Sequence, residues 1–306
     1  MPQTPGVAEQ SKLMSLFRAL RLEPLAWSAR RLHCPIGNDA LVLEVGAGSN
    51  PYPRANVLLD AYEESQERHW QPLRKDRPFV FGFIENLPFR DGAFDFLIAS
   101  HVLEHSRNPE KAVAEFQRVA KAGYIEVPDA LFERLMPYKD HRLEITAREG
   151  RLLIRKKAAW LVDSELNDFV RNNGGVVGGK LVSRHPFAFH VRYYWQGHID
   201  YLVVNPEVDN GWSAEAAERP APSHSWRQTA RTSYLNLLNA MFAQKARNAR
   251  INILDLLRCP SCRSVRLSTK DDGILCQDCR TTYARLHGFP VLNARPLPTS
   301  YREATS

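Results

Sequence analysis

The 306 residues, 44% of them hydrophobic, suffice for one substantial core and a smaller satellite module, so two domains are expected. The formal charge of +7 is a modest surplus that a solvated surface explains as readily as an anionic partner, and it does not select nucleic acid. Met1 to Arg31 holds no apolar stretch of signal-peptide type, and no window approaches the roughly 20 apolar residues of a membrane span; this predicts a soluble, cytoplasmic protein with no membrane span.

Residues 1–39 form an N-terminal helical region in which Cys34 is expected as a buried thiol. Leu41 to Val45 is a buried-strand run that stops at Gly46-Ala47-Gly48-Ser49-Asn50, a turn where the missing side chains let a ligand approach the backbone. Ala55 to Leu59 is a second strand, and it ends in Asp60, an acid placed to accept hydrogen bonds from ribose hydroxyls. Only 14 positions separate Gly46 from Asp60, and Pro51 and Pro53 forbid a long helix between them, which disfavours a nicotinamide dehydrogenase. A third strand begins at Phe79. The turn Arg90-Asp91-Gly92-Ala93 leads into the apolar strand Phe94 to Ser100, a helix from Asn108 to Ala120 and a strand at Tyr124 to Val127, the alternation of a βαβ fold.

Further along, Leu152 to Ile154 is the second arm of a hairpin, and Ser164 caps a short helix that ends at Asn173-Gly174-Gly175. Phe187 to Trp195 and Ile199 to Asn205 alternate with period two and are expected to pair as a hairpin through Gln196-Gly197-His198. Phe187, Phe189, Val191, Tyr193 and Trp195 share one face; core packing is favoured over an acceptor-pocket wall, and His185, His141 and Asp140 are read with the same caution. Ala214 to Trp226, with Pro220 and Pro222, is a linker. A basic amphipathic helix follows from Thr229 to Asn248, with Tyr234, Leu238, Met241 and Phe242 on one stripe. Lys245, Arg247 and Arg250 complement its dipole at the C-terminal end, and an RNA-facing patch is the less favoured reading of the same charges.

Cys259-Pro260-Ser261-Cys262 and Cys276-Gln277-Asp278-Cys279 carry four of the five cysteines. Two C-x-x-C knuckles separated by room for one hairpin predict a closed tetrahedral thiolate site for structural Zn2+, a zinc ribbon. Two disulfides would need an oxidising compartment.

Glu44-x-Gly46-x-Gly48, Asp60, Glu85-Asn86-Leu87-Pro88-Phe89, Phe94-Asp95 and His101-Val102-Leu103-Glu104-His105 in series resemble the class I S-adenosylmethionine-dependent methyltransferases, over roughly Ala40 to Pro128. The resemblance implies an α/β fold, a Rossmann-like sheet with helices on both faces, and S-adenosyl-L-methionine as cofactor. It implies that the glycine turn, Glu44 with Gly46, Ala47, Gly48 and Asn50, passes the methionine part. Asp60 then binds ribose, Glu85, Asn86 and Leu87 lie at adenine, and Ser100 closes the cofactor set. Phe83 stands where relatives often carry an Asp in the adenine segment. His101 and His105 are candidates for deprotonating the acceptor, against a packing or hydrogen-bonding role. The same H-x-x-E-H string matches a zinc-peptidase signature, but that signature needs a helix, and here it begins just beyond a buried strand. The motif with which amino-methylating nucleic-acid enzymes follow the fourth strand is absent, since Ser100-His101-Val102-Leu103 occupies that position.

Ile253 to Asn293, with L-x-C-P-x-C, C-x-x-C and Gly288-Phe289-Pro290-Val291-Leu292, resembles the zinc-ribbon activator of RNA- and protein-modifying methyltransferases. That resemblance implies an intramolecular contact in which the ribbon stabilises the enzyme it is fused to. The expected domains are a methyltransferase domain at 40–212, linker and basic helix at 213–252, zinc ribbon at 253–293 and tail at 294–306. The function expected is methyl transfer to a small-molecule, glycan or lipid-linked acceptor, ahead of RNA or protein. The alternative is a non-catalytic scaffold whose ribbon and basic helix engage RNA or a protein.

Overall fold

The computed structural model describes residues 9–160, 162–173, 177–212, 226–271 and 273–293. The linker prolines Pro220 and Pro222, the glycine pair Gly174-Gly175 and the tail 294–306 lie outside the described residues. Among the described residues no helix is long and apolar enough to cross a membrane.

Helices α1 (Lys12–Ala19) and α2 (Glu23–Ala29) open the chain; the Ser11 side chain caps α1 by accepting the Met14 N–H, and Pro24 sits in the first turn of α2. Cys34 follows the last helical turn and is half-buried, because that segment leaves the helices before the sheet begins; the expected buried thiol is corrected accordingly.

Strands β1 (Val42–Val45), β2 (Val57–Asp60) and β3 (Phe79–Phe81) are buried at every position and pair in parallel, as β-branched and aromatic runs covered on both faces do. With β4 (Phe96–Ser100), β5 (Ala122–Pro128) and, after the hairpin β6 (Leu143–Arg148) and β7 (Arg151–Lys156), strand β8 (His190–Gln196), they form one sheet in the order β3-β2-β1-β4-β5-β8. Helix α3 (Pro109–Val119) links β4 to β5, and α4 (Ala130–Leu135) follows β5, capped by Asp129. The order and the parallel strands are those of a Rossmann-like α/β fold.

The chain divides into two compact units, Met1–Asn38 with Ala99–Gln117 and Ala122–Glu215, and Asp39–Ile98 with Arg118–Lys121 and Ala216–Ser306. In the first, β8 pairs antiparallel with β5 from Ala122↔Gln196 to Pro128↔His190. Strand β9 (Tyr201–Val203) pairs in parallel with β7, giving a separate sheet β6-β7-β9. The hairpin expected between 187–195 and 199–205 is therefore not formed. Gly197, at φ +71°, closes a tight turn bridged from Gln196 to His198, and this redirects the chain from one sheet into the other. Phe187 and Ala188 belong to a 3-10 turn instead of a strand, whereas Val191 and Trp195 are core as expected. Helix α5 (Ser164–Asn172) is capped by Asp163, whose carboxylate accepts the Leu166 N–H at 3.0 Å; Ser164 is its first helical residue, not its cap.

In the second unit, α6 (Trp226–Phe242) and the short α7 (Lys245–Asn248) dock by polar contacts. Asn239 accepts from the buried Arg77 guanidinium at 2.9 Å, and Asn248 accepts from Asn56 at 2.8 Å. The Arg247 guanidinium donates to the carbonyls of Ala40 at 2.8 Å and Asp39 at 2.5 Å. The apolar stripe inferred from the sequence is thus turned outward, with Tyr234, Met241 and Phe242 exposed and Asn239 buried. Strands β10 (Leu267–Lys270), β11 (Gly273–Cys276) and β12 (Thr282–Tyr283) form the antiparallel ribbon sheet, followed by the hairpin β13 (Arg285–Leu286) and β14 (Phe289–Pro290).

Candidate functional site

In the second unit the end of β1 and the end of β2 meet. The backbone turns at Gly46 and Gly48, both at positive φ (+66° and +58°), and the Gly48 N–H donates to Asp60 Oδ2 at 2.9 Å. Ala47 N–H donates to the Leu59 carbonyl at 3.1 Å, so the turn is tied to β2 through both backbone and side chain. Glu44 is buried beneath it and accepts the Tyr52 N–H at 2.7 Å; it shapes the loop from below. Asn50 is half-buried in the same turn. Arg68 lies on the other side. Its Cδ is 3.5 Å from where a Gly48 Cβ would stand, and its guanidinium reaches Asp60 Oδ1 at 3.3 Å and the Glu63 carbonyl at 2.7 Å. A long side chain can fill the space over this turn, and here the protein's own arginine does so.

The segment after β3 is held from two sides. The Arg118 guanidinium donates to the carbonyls of Leu87 at 2.9 Å and Phe89 at 2.7 Å. The start of the ribbon pairs with the same segment through Arg90 N–H to Leu256 O (2.9 Å), Arg258 N–H to Pro88 O (3.0 Å) and an antiparallel bridge Phe89↔Leu257. Leu87 is fully buried, and the Asn86 amide donates to the Pro260 carbonyl in the first cysteine knuckle at 3.3 Å. Of this candidate set, Glu85 and Asn86 remain half-buried. Phe83 packs edge-on against Tyr62 with ring centroids 5.6 Å apart, an aromatic pair at the ends of β3 and β2. At the sheet edge Val291 bridges Phe81 in parallel, Leu292 N–H donates to Phe81 O at 3.0 Å, and Phe289 packs edge-on against Phe79. The ribbon's last hairpin therefore covers the open edge of β3 together with the apolar cluster of Ala47, Ala55, Leu58, Phe79 and Phe81.

The two cysteine knuckles are built alike. Cys259 O and Cys276 O accept from the N–H of Arg263 (2.8 Å) and Arg280 (3.0 Å), both residues at positive φ, while the Cys259 and Cys276 N–H groups donate to Ser264 O and Thr281 O. This aims four sulfurs at one point: Cys259, Cys262, Cys276 and Cys279 offer Sγ atoms within 4.8 Å of one another, with close pairs at 3.6 and 3.5 Å. Sulfurs around a tetrahedral zinc at about 2.3 Å lie about 3.8 Å apart, so the donor set fits the ion.

The first unit holds a buried charge that the sequence reading passed over. Glu126 on β5, its side chain 0% exposed, accepts two hydrogen bonds from Arg30 (2.7 and 2.9 Å) and one each from Tyr124 (2.5 Å) and Ser100 (3.1 Å). Burial opposes its ionised form, but the charge and hydrogen bonds of Arg30 and His101 outweigh burial and hold its carboxyl well below the ordinary range. The signal was present as a lone Glu inside the apolar strand Tyr124-Ile125-Glu126-Val127, a position that demands a cation. Ser100, expected at the cofactor, here spends its hydroxyl on Glu126.

His101, at φ +55°, stands 3.4 Å from both Glu126 and Glu104. Desolvation works against the imidazolium, and the two carboxylates overcome it, pushing His101 up to about 9. Both carboxylates thus favour its imidazolium form. Its ring edge meets His190, which packs with Trp27 and Phe132. His105 has its Nδ1 3.1 Å from the Asp140 carbonyl and its ring edge-on to His141. Leu103–His105 is a single 3-10 turn, so the H-x-x-E-H residues do not share the helix a peptidase needs.

Residues 43–125 match the family described as "Methyltransferase domain". The match spans β1 to β5 and covers the glycine turn, Asp60 and His101. Among curated relatives, the protein MJ1123 of Methanocaldococcus jannaschii is 30% identical over 31% of this chain and 45% of its own length. Demethylmenaquinone methyltransferase of Renibacterium salmoninarum is 32% identical over 28% of this chain and 38% of its own. The chain thus spans less than half the length of these relatives. Among solved structures, the complex between the Haloferax volcanii Trm112 methyltransferase activator and a methyltransferase aligns at 14% identity and a TM-score of 0.27, covering 44% of this chain and 78% of that one.

Proposed function

We propose that this chain is an S-adenosylmethionine-dependent methyltransferase acting on a small-molecule, glycan or lipid-linked acceptor, with the ribbon as a built-in stabiliser holding a structural zinc ion. The observation that carries the reading is the tie between Gly48 and Asp60, within a segment that matches a methyltransferase domain. Residues Gly46 to Asn50 would cradle the methionine part of the cofactor, Asp60 its ribose, and the Tyr62–Phe83 pair with Glu85 its adenine. When bound, the cofactor supplies an already activated methyl group on its sulfonium. The protein's tasks are to orient the reactants and exclude water, so few catalytic side chains are needed. His101, held as an imidazolium, suits orienting an acceptor oxygen by hydrogen bond better than removing its proton. Four thiolates leave zinc no open position, which assigns the knuckles to stability.

The Arg68–Asp60 pair favours the competing reading, a scaffold whose cofactor groove is filled by its own side chain. Photo-crosslinking with methyl-labelled S-adenosylmethionine separates the two. Label on the native chain, displaced by S-adenosylhomocysteine and lost in Asp60→Asn, supports the enzyme; an unlabelled native chain supports the scaffold.

A further inference from the structure

The turn Glu104-His105 and the segment before β6 meet in the first unit at a cluster that neither the methyl-transfer reading nor the zinc ribbon uses. Glu104, His105 and His141 each offer a donor atom, all within 4.8 Å of one another. Glu104 is 2% exposed, and neither of its carboxylate oxygens has a hydrogen-bond partner; the His101 ring, 3.4 Å away through Nδ1, is shared with Glu126, which its Nε2 approaches at the same distance. One imidazolium divided between two buried carboxylates leaves the hydrogen-bonding capacity of Glu104 unfilled, a deficit that a second cation would complete.

The two imidazoles are oriented for that cation. His141 Nδ1 is 2.6 Å from Glu133 Oε2, and His105 Nδ1 is 3.1 Å from the Asp140 carbonyl. Nδ1–H donation to these oxygens fixes the tautomer and makes Nε2 the lone-pair nitrogen of each ring, the tautomer that metal-binding histidines adopt. Glu133 is itself pinned by Lys157 Nζ at 2.8 Å, and Arg142 N–H ties the segment to the Glu104 carbonyl at 2.8 Å. The Arg142 guanidinium, stacked over Trp212, anchors the same segment to the carbonyls of Asn210 and Trp212. Two imidazoles and one carboxylate, arriving from two segments tied together by hydrogen bonds, make a three-donor cluster. Ligand bonds of about 2.0–2.2 Å would require side-chain shifts of roughly an ångström.

We propose that Glu104, His105 and His141 bind a divalent first-row transition ion, a second metal site distinct from the cysteine knuckles. Three protein ligands leave coordination positions open to oxygen donors, whereas the four-thiolate site is closed. This proposal is independent of the cofactor reading: it requires no S-adenosylmethionine, and its test uses none.

The test is addition of cobalt(II) to the full-length chain whose ribbon is loaded with zinc. One equivalent is expected to bind with ligand-field absorption and without a thiolate charge-transfer band. Glu104→Gln and His105→Gln should each weaken binding at least tenfold, and Glu133→Gln, which touches no ion, about 10–100-fold. No cobalt spectrum in the native chain overturns the site, as does unchanged affinity in Glu104→Gln and His105→Gln that retain native circular dichroism. A spectrum dominated by thiolate bands also overturns it, because it would place the metal in the ribbon. Should the variants fold poorly, stoichiometry and band type in the native chain decide alone.

Discussion

Replacing Arg30 with Met leaves Glu126 charged and buried with its main cation gone. Both side chains of the pair are nearly inaccessible, at 9% and 0%. Breaking a buried ion pair from one side costs about 3–5 kcal/mol. The hydrogen bonds that Tyr124 and Ser100 keep on Glu126 move the expectation toward the lower end of that range. Losing the Arg30 guanidinium, stacked 3.6 Å over the Trp27 ring, moves it back up by about 0.5–1 kcal/mol. The expected loss at pH 7 is about 3–4 kcal/mol, read from urea denaturation followed by tryptophan fluorescence. Glu126 has a depressed carboxyl, so the stability it contributes is present above the unfolded value of about 4.3 and disappears as pH falls through its folded value. The gap between native and Arg30→Met chains should therefore narrow below about pH 4. Adding Glu126→Gln to the variant should recover part of the loss at pH 7, because no buried charge is then left unpaired. A gap under about 1 kcal/mol at pH 7, or one that stays unchanged as pH is taken well below 4, would show that the pair is not a buried electrostatic clamp.

Cys259→Ser with Cys276→Ser should remove one zinc equivalent per chain and lower the melting temperature by about 4–8 °C, as a loss of 2 kcal/mol does in a domain of 150–250 residues. Metal analysis with differential scanning calorimetry checks this, and unchanged melting would detach the ribbon from stability. Gly273→Ala would bring a Cβ to 2.8 Å from the Tyr283 carbonyl across the ribbon strands. Overpacking of that kind costs about 1–3 kcal/mol, and it should speed zinc release to a colorimetric chelator; release at the native rate would mean the strand pair yields freely. Arg68→Ala should tighten S-adenosylmethionine binding about fivefold, because the ribose would no longer displace a cation worth about 1 kcal/mol from Asp60. Weaker binding in that variant would make Arg68 a cofactor contact instead of a competitor.

What could be read from the sequence was what neighbouring residues encode. The strand that ends in Gly46 and Gly48, the strand that ends in Asp60 and the two cysteine knuckles are local patterns, and the fold joins Gly48 to Asp60 and, separately, the four cysteines to one another. Partner choice was not legible. The alternation in Phe187 to Trp195 and Ile199 to Asn205 identifies extended chain, but β5 and β7, far away in sequence, decided which strand each would join. The outward turn of Tyr234, Met241 and Phe242 was hidden for a related reason: apolar spacing cannot anticipate that Arg77, Asn56 and two backbone carbonyls would anchor the opposite face of that helix segment by hydrogen bonds. Glu104 and His105 were visible as a motif, yet their companions His141 and Glu133 come from a segment roughly thirty residues further on, which spacing rules do not reach.

Calorimetric titration of the full chain with S-adenosylmethionine is the most direct measurement of whether the glycine turn and Asp60 form a cofactor site. Saturable heat at one equivalent per chain, lost in Asp60→Asn while circular dichroism stays native, is the expected result. An absence of heat at millimolar cofactor, in both the native chain and Arg68→Ala, would contradict it.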